Sequence, residues 1–428
     1  METPVPIPRL LAIMGSGETS PTMVKTHREL LARLGPPPVP AVVLDTPYGF
    51  QANAADLASR AVEYFRESVG QPIEVAHLLA ADGDPLEYET MLAKLRAARY
   101  VFAGPGSPTY ALRQWQATLV PKMLTEKLQS GGCLTFASAA ALTLGVATVP
   151  VYEIYKAGEE PRWLDGLDLL GEIGIRAAVI PHYNNAEGGT HDTRFCYLGE
   201  TRLALMEQDL PDGAFVLGVD EHTGLVLDID AGTASVVGLG AVTVRRGGAS
   251  TEVPTGTTMR LAELLALAAA PGGAAGVPRG SDVTGPTGST LPPPQGTGAS
   301  PLLQNVAQLE AAFAAAVDAR DVDEAVRSVL ALEEELVSWS RDTLQSDELD
   351  RGRAALRGMV VRLGELAVVG ARDPVAAVRP FVDALLAQRE AARSARRWAD
   401  ADAVRDGLVE LGVEVQDAPE GTTWRLVS

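Results

Sequence analysis

The sequence predicts an α/β domain with a mostly parallel sheet flanked by helices, followed by a separate α-helical domain. Short apolar runs alternate with helix-length segments in the first part, amphipathic helical patterns dominate the last part, and a Gly- and Pro-rich stretch separates the two. The 428 residues suffice for two or three globular domains. We expect an α/β domain at 1–270, a flexible linker at 271–300, a helical bundle at 301–385 and a terminal module at 386–428.

The apolar runs of the first domain are short, rich in Val, Ile and Leu, and end in Gly, Pro or Asp. Separated by helix-length segments such as Ala52–Val69, they are typical of parallel strands that alternate with helices. Later runs follow one another without a helix, which indicates an antiparallel edge closed by a helix at Met259–Ala270. The predicted strand regions are LLAIMG, PAVVLDTP, PIEVAHLL, YVFAGPG, CLTFASAA, AAVIPHY, AFVLGVD, GLVLDID and ASVVGLGAVTV.

Between residues 271 and 300, Gly and Pro fill 14 of the 30 positions, so we expect a flexible linker there. Beyond it, apolar residues recur at helical spacing, as at Leu309, Phe313 and Val317. This pattern predicts a bundle of three or four helices. The helical pattern is interrupted near 318–323, 346–351 and 370–374.

The composition disfavours several classes of protein. With 36 basic and 55 acidic residues the net charge is −19, which opposes nonspecific binding of nucleic acid, although the acidity could simply serve solubility. The sequence has no run of about 18 apolar residues and no secretion-signal pattern at its start, so we expect a cytoplasmic protein without a membrane span. Cys133 and Cys196 lack the spacing of a zinc site, and we expect reduced, buried thiols.

Ser138 is the candidate nucleophile of the first domain. It lies where the apolar run 132–137 gives way to a helix-forming run of alanines. A serine at such a turn projects its hydroxyl above the sheet, and the helix N-terminus offers backbone N–H groups to an oxyanion. A serine that only caps a helix would show the same local pattern, so both interpretations of this segment stay open.

Two further residues could complete a hydrolase site. His182 ends an apolar run in AVIPHYNNAEGG, at a position from which a base can reach a serine on a strand-to-helix turn. Glu221 ends another run in VLGVDEHTG and could orient the imidazole. The chain order of the three candidates is therefore Ser, His, Glu.

Motifs between residues 8 and 245 resemble one known family: GSGE, DTPYGF, FAGPGSPTYAL, FASAAAL, IPHYNNA and LGVDE. They are similar to the α-aspartyl dipeptidase and cyanophycinase family, serine peptidases with the class I glutamine amidotransferase-like, flavodoxin-like fold. The resemblance implies Ser138 as nucleophile, His182 as general base and Glu221 as the carboxylate that holds it. It also implies that the amides of Gly106 and Ala139 form the oxyanion hole.

Two positions depart from the pattern of that family. Ala140 replaces the usual glycine after the nucleophile, and Pro105 removes one N–H from the oxyanion turn, which leaves Gly106 as the donor. Loss of one such donor costs about two orders of magnitude in rate. The alternative to a hydrolase is therefore a catalytically inactive scaffold or ligand sensor.

The polar segment after His182 is a candidate wall of the substrate pocket. Asn184, Asn185 and Arg194 are too polar for a core strand, although a solvated loop would have the same composition. A metal interpretation of the nearby His191 lacks a second histidine at a suitable spacing. We predict no metal and no other cofactor, and a small peptide or an aminoacyl compound as the substrate. The sequence indicates no oligomeric state.

A tryptophan beside arginines marks the C-terminal module. Trp398 follows Arg396 and Arg397, and Asp402 and Arg405 lie at helical spacing from it. Such a group offers an unpaired base a ring to stack on and hydrogen-bonding neighbours. The alternative is that Trp398 anchors a hydrophobic core, or that the module binds a protein.

The pattern R-x-x-A-R-x-x-x-x-W-x-x-A-D-x-x-R-D near the C-terminus resembles the end of cysteinyl-tRNA synthetase, and 308–384 is more loosely similar to its helical DALR domain. The HIGH and KMSKS signatures and the zinc ligands of that enzyme are absent from the sequence, which predicts no cysteine-activating activity. The region from residue 301 has 15 arginines, no lysine and 23 acidic residues, so RNA affinity would have to come from specific contacts. The resemblance implies that tRNA(Cys) is a partner. It also implies that the anticodon is bound by Arg393, Trp398, Asp402, Arg405 and Asp417.

Overall fold

The computed structural model describes residues 6–186, 191–269, 300–342, 347–369, 374–418 and 421–427. The predicted linker lies outside these described residues, apart from Ser300. Contacts within the chain divide it into two compact units, each formed by two stretches. The first unit comprises Met1–Ala299 and Val337–Asp347, and the second comprises Ser300–Leu336 and Glu348–Ser428.

The first unit combines strands with helices along the chain. Its described strands, β1 to β14, are Arg9–Met14, Ala41–Leu44, Glu74–Ala76, Tyr100–Ala103, Gly132–Ala137, Ala147–Thr148, Leu164–Asp165, Ala177–Ile180, Phe215–Val219, Thr223–Asp228, Thr233–Gly238, Ala241–Arg246, Ala249–Pro254 and Thr258–Arg260. Its described helices, α1 to α9, are Val24–Arg33, Ala54–Tyr64, Pro85–Ala97, Pro108–Gln116, Val120–Ser130, Ser138–Leu142, Val151–Tyr155, Gly199–Met206 and Leu261–Ala269.

An eight-stranded mixed sheet in the order β14-β11-β10-β1-β5-β4-β2-β3 forms the centre of this unit. The strands β1, β5, β4, β2 and β3, which are neighbours in this order, pair in parallel. At the other edge of the sheet, β10, β11 and β14 pair antiparallel to their neighbours. This arrangement confirms the predicted α/β class and its antiparallel edge. A second sheet, in the order β13-β12-β9-β8, contains the parallel pair β8 and β9.

The central strands are apolar because both of their faces are covered. Leu10, Leu11 and Ile13 of β1 are fully buried and belong to two separate core clusters on opposite sides of the strand. Burial of one such side chain contributes about 1.5–3 kcal/mol of transfer free energy. A strand covered on both faces reads as a continuous apolar run, which is why these strands could be recognised in the sequence.

The second unit is mainly helical and ends in a hairpin. Its helices, α10 to α14, are Pro301–Asp318, Val322–Trp339, Glu348–Val369, Pro374–Ser394 and Trp398–Glu410, and its strands β15 and β16 are Val413–Ala418 and Gly421–Leu426. The end of α11, from Val337, is grouped with the first unit. The hairpin packs on α13 through Trp424, whose indole Nε1 donates a hydrogen bond to Asp383 Oδ1 at 3.0 Å.

The interruption expected near 318–323 lies between α10 and α11, whereas α11 already ends at Trp339, before the interruption expected at 346–351. The interruption expected at 370–374 lies outside the described residues except for Pro374, and the described part of this unit has five helices instead of the three or four predicted. None of the helices in the described part of the chain combines the length and the apolar character that crossing a membrane would require.

Candidate active site

Ser138 lies on a sharp turn between β5 and α6. Ala137 is extended, with φ −131° and ψ 153°, and Ser138 adopts φ +49°, in the left-handed region. A non-glycine residue held there stores about 1–3 kcal/mol of backbone strain, which the packed surroundings must offset. The side chains of Ala137 and Ala139 are buried, whereas Ser138 is half-buried. The turn therefore aims the Ser138 hydroxyl out of the core.

His182 and Glu221 reach the site from two adjacent strands. β8 and β9 are parallel, so their C-terminal ends lie side by side, and each candidate residue follows one of those ends. The Ser138 Oγ atom is 3.0 Å from His182 Nε2, and His182 Nδ1 is 3.0 Å from Glu221 Oε1. The three side chains thus form one continuous hydrogen-bonded chain, and His182 also has a left-handed φ of +48°.

Asn184 and Asn185 contact Glu221. The Glu221 backbone N–H donates to Asn184 Oδ1 at 2.8 Å, and Asn185 Nδ2 donates to Glu221 Oε1 at 3.4 Å. Burial opposes ionisation of Glu221, but hydrogen bonds from His182 and Asn185 and the nearby imidazoles outweigh it and lower its pKa. Of the two asparagines predicted to bind substrate, Asn184 thus holds the Glu221 backbone and Asn185 its carboxylate in this structure.

Gly106 and Ala139 are the predicted oxyanion-hole donors. Ala139 lies in the first turn of α6, where an N–H has no partner within the helix. Gly106 has φ +136°, and a Cβ atom there would lie 2.0 Å from the Pro47 carbonyl oxygen. Within the described residues the Gly106 N–H makes no backbone hydrogen bond. Only glycine fits this position.

The two departures from the family pattern are both accommodated. Ala140 is fully buried in the main core cluster, and its N–H donates to the Gly104 carbonyl at 3.2 Å. This bond ties the turn at Ser138 to the loop that contains Pro105 and Gly106. The methyl group of Ala140 therefore does not displace Ser138 from His182.

Arg194 is engaged by its own loop. Its Nε and Nη2 atoms donate to the two carboxylate oxygens of Asp192 at 2.9 and 2.8 Å, and its guanidinium lies over the Phe195 ring. These hydrogen bonds hold the pKa of Asp192 well below its usual range. Glu187, the other acidic residue of this loop, lies outside the described residues. In the described part of the chain, no three His, Cys, Asp or Glu side chains are grouped to hold a metal ion.

Glu18 is a charged residue near the site that the sequence did not single out. Its side chain is buried, and its Oε1 atom lies against Gly104, where a Cβ atom would be only 3.1 Å away. Burial and the neighbouring carboxyl of Asp342 raise its pKa to about 7, although the imidazole of His182 acts in the opposite direction. The only sequence signal for this residue was its place in the GSGE turn.

His222 is a second residue that sequence reasoning missed. It is buried next to Glu221, and its Nδ1 atom lies 3.1 Å from Thr22 Oγ1. The edge of its ring meets the Trp339 ring at a centroid distance of 5.4 Å. Burial lowers its pKa to about 4, so the imidazole is neutral at pH 7. His222 therefore packs behind the carboxylate of the site.

Glu18 should make the first unit less stable as the pH rises from about 4.5 to about 7. In this window the unfolded chain has released the Glu18 proton while the folded chain retains it, so the free energy of unfolding falls with pH. The rise in the pKa of Glu18 corresponds to a decrease of about 3 kcal/mol in the free energy of unfolding. Because other groups titrate in the same range, the measured quantity is the free energy of unfolding of the wild type minus that of the Glu18→Gln variant, which denaturant unfolding should show to fall as the pH rises. Glu89→Gln, at an exposed position, is the control. Identical pH profiles for wild type and Glu18→Gln would contradict the assignment.

In the second unit, the predicted RNA-contact residues lie on and near α14. Trp398 is 59% exposed at the start of this helix, so it does not anchor the core. Asp402 and Arg405 are also exposed, and their charged groups are 3.8 Å apart.

Asp417 on β15 completes the group of predicted contact residues. It accepts hydrogen bonds from Arg389 at 2.7 Å and from Arg393 at 3.0 Å. The Arg389 guanidinium holds the pKa of Asp417 well below its usual range. Four of the predicted contact residues are thus charged and arranged in ion pairs, and the fifth is an exposed aromatic ring.

The described chain is thus an α/β unit with a hydrogen-bonded Ser-His-Glu group and a helical unit with a terminal hairpin. A family model of the cysteinyl-tRNA ligase anticodon binding domain matches residues 377–425. The cysteine–tRNA ligase of Beutenbergia cavernae is 37% identical over 164 residues, which cover 35% of this chain and 31% of that relative. The ligase of Thioalkalivibrio sulfidiphilus is 41% identical over 88 residues, or 18% of this chain and 19% of the relative.

The chain spans less than a third of the length of these curated relatives. The predicted resemblance of its C-terminal segment to the anticodon-binding domain of cysteine–tRNA ligases is confirmed. Among solved structures, a peptidase from an acI-B1 Actinobacterium aligns with a TM-score of 0.48 and 21% identity, over 59% of this chain and 97% of that chain.

Proposed function

We propose that the first unit is a serine hydrolase that cleaves an amide or ester bond through an acyl-enzyme on Ser138. The observation that carries this proposal is the continuous chain of hydrogen bonds from Ser138 Oγ through both ring nitrogens of His182 to Glu221. The strained turn at Ser138 and the resemblance to the α-aspartyl dipeptidase and cyanophycinase family, with its glutamine amidotransferase-like fold, also support it. A small peptide or an aminoacyl compound would be the substrate, in the cytoplasm.

The proposed chemistry uses each group once in every half-reaction. Ser138 Oγ attacks the carbonyl carbon while His182 Nε2 accepts its proton, and Glu221 stabilises the imidazolium that forms. The N–H groups of Gly106 and Ala139 donate to the oxyanion. His182 then gives the proton to the leaving group, and water releases the acyl group by the same sequence of steps.

Labelling with a fluorophosphonate probe tests the proposed nucleophile, because the probe forms a covalent bond only with an activated serine. We expect the full-length protein to be labelled at one site and the Ser138→Ala variant to be unlabelled. Ser59→Ala, at an exposed serine of α2, should be labelled like the wild type. Absence of labelling in the wild type, or undiminished labelling of Ser138→Ala, would contradict the proposal. The first outcome would favour the inactive scaffold.

For the second unit we propose binding of the anticodon of a tRNA, with tRNA(Cys) as the first candidate. The match of residues 377–425 to an anticodon-binding domain and the exposed ring of Trp398 support this role. The ring is accessible to an unpaired base, and the ion pairs around it hold charged hydrogen-bonding groups in fixed positions. Because the adenylation signatures are absent from the sequence, the proposed function does not include cysteine activation.

Trp398→Ala should weaken binding of tRNA(Cys) about tenfold, since stacking of one base on an aromatic ring contributes about 1–3 kcal/mol. Filter binding at fixed salt measures this change, with Phe381→Ala as the control because Phe381 is 72% exposed on α13. A tRNA with an altered anticodon should bind the wild type more weakly. Equal affinity for both tRNAs would exclude anticodon recognition.

A further inference from the structure

A cleft of about 430 Å³ lies beside the loop that carries the proposed oxyanion donor Gly106. The proposed reaction of Ser138, His182 and Glu221 uses none of the side chains that line this cleft. The cleft combines three aromatic rings with two cationic side chains and one carboxylate. These residues are Phe50, Tyr110, Tyr152, Arg113, Lys156 and Glu153.

The cleft is connected to the proposed site through the loop that contains Gly106 and Ser107. Ser107, which lines it, directly follows Gly106, and its N–H donates to the Pro47 carbonyl at 2.8 Å. Its Oγ atom accepts a hydrogen bond from the Tyr110 N–H and so begins α4, which contributes further residues to the cleft. The cleft therefore begins one residue along the chain from the proposed oxyanion donor Gly106.

The aromatic rings of the cleft are unusually accessible. The side chains of Phe50 and Tyr152 are 51% and 38% exposed, and the Phe50 and Tyr110 ring centroids are 5.2 Å apart. Large rings exposed to water beside a cavity mark surfaces that gain free energy when a planar ligand covers them. The cleft thus offers faces for stacking.

The cations of the cleft are held against these rings. The Arg113 Cζ atom is 5.1 Å from the centroid of Tyr110, and the Lys156 Nζ atom is 4.9 Å from that of Tyr152. Glu153, the one carboxylate, accepts a hydrogen bond from Thr109 Oγ1 at 3.1 Å. In a chain with a net charge of −19, two cations at one cleft provide local attraction for an anion.

We propose that this cleft binds a nucleotide as the leaving group of the reaction, so that the substrate is an aminoacyl ester of a 3′-terminal nucleotide. The inference rests on the proposed hydrolase function. Aromatic faces next to cations are the combination that binds unpaired nucleotides, with the base on a ring and the phosphate at a cation. The match of residues 377–425 to an anticodon-binding domain fits a substrate carried by tRNA.

The reaction balances with water as the only co-reactant. Ser138 Oγ forms a bond to the ester carbonyl carbon, and the bond from this carbon to the ribose oxygen breaks. The proton that His182 took from Ser138 passes to the ribose oxygen, which leaves as a hydroxyl group. One water then hydrolyses the acyl-enzyme and yields the free amino acid.

Hydrolysis of three substrates with the same acyl group tests the proposal: the 3′-ester of adenosine monophosphate, the methyl ester and a dipeptide. We expect the full-length protein to cleave the nucleotide ester with a kcat/KM at least tenfold above that of the methyl ester. Equal values for the two esters, or a preference for the dipeptide, would overturn the nucleotide cleft and leave the hydrolase proposal intact. If none of the three substrates is cleaved and no fluorophosphonate labelling occurs, the hydrolase proposal fails as well.

Two variants separate the cleft from the triad. Lys156→Gln and Tyr152→Leu should each raise KM for the nucleotide ester about tenfold and leave kinetics with the methyl ester unchanged. Lys122→Gln, at an exposed lysine of α5, is the control. Calorimetry should show that adenosine monophosphate binds the Ser138→Ala variant. Adding Lys156→Gln or Tyr152→Leu to that variant should weaken this binding. Unchanged binding and unchanged KM would contradict the assignment.

Discussion

Replacing His182 by alanine should lower kcat for ester hydrolysis by a factor on the order of 10⁴ to 10⁶, and Ser138→Ala should cost about as much. The two side chains are 3.0 Å apart, and in the proposed mechanism they exchange one proton, so neither would act without the other. The double variant should therefore be hardly slower than either single variant. Steady-state kinetics of the three variants with one activated ester measures this non-additivity.

The fold of each variant can be checked by its denaturant midpoint, because His182 is held in a left-handed conformation that alanine also has to adopt. Glycine at position 182 relieves this strain, so His182→Gly is a matched control for the backbone. Both variants should be equally inactive. If the loss of kcat in the double variant equalled the product of the two single losses, Ser138 and His182 would act independently. That result would contradict the proposed mechanism.

The fold class could be predicted because the central strands are buried on both faces. The runs of β1 and β5 are apolar except for Arg9 and Thr135, which is typical of short strands covered on both faces. The short strands β6, β7 and β14 and the strand β13 were not predicted, and the closing helix expected from Met259 begins only at Leu261 because Met259 and Arg260 belong to β14. β13 has the sequence ASTEVP, and its pairing with β12 rather than its own apolar content defines it. The division of the first unit's described strands into three sheets could not be predicted either, since it depends on how the strands pair.

The candidate site was predictable only where a residue comes one or two positions after the end of a strand. Ser138, His182 and Glu221 each do so, and the structure brings them together within hydrogen-bonding distance. Their catalytic roles stay predictions. The contacts of Asn184 and Asn185 with Glu221 join residues 36 or 37 positions apart, and no local pattern encodes them.

The aromatic and cationic cleft illustrates the same limit. Its residues come from three separate stretches of chain, around positions 50, 110 and 153, and each stretch alone reads as an exposed loop or helix face. Lys156 in isolation is a solvated side chain, and only its position over the Tyr152 ring suggests a ligand. A site built by packing distant segments together becomes visible only in three dimensions.

Glu221→Gln should lower kcat about 10³- to 10⁴-fold while the protein stays folded. The carboxylate accepts the hydrogen bond from His182 Nδ1, which leaves Nε2 free to take the Ser138 proton. A glutamine amide that donates to Nδ1 instead forces the tautomer with a proton on Nε2, which cannot act as the base. Because the pKa of Glu221 lies below its usual value, the wild type should keep this carboxylate ionised at neutral pH.

Asp220→Asn is the matched control for this substitution. Asp220 precedes Glu221, but its carboxylate accepts a hydrogen bond from the Ala241 N–H at 2.9 Å, and burial raises its pKa to about 6. Removing its charge should leave kcat within about twofold, since it makes no hydrogen bond to His182 in the described structure. If Glu221→Gln retained more than a tenth of the activity, or if Asp220→Asn lost as much as Glu221→Gln, the carboxylate of Glu221 would not be the group that orients His182.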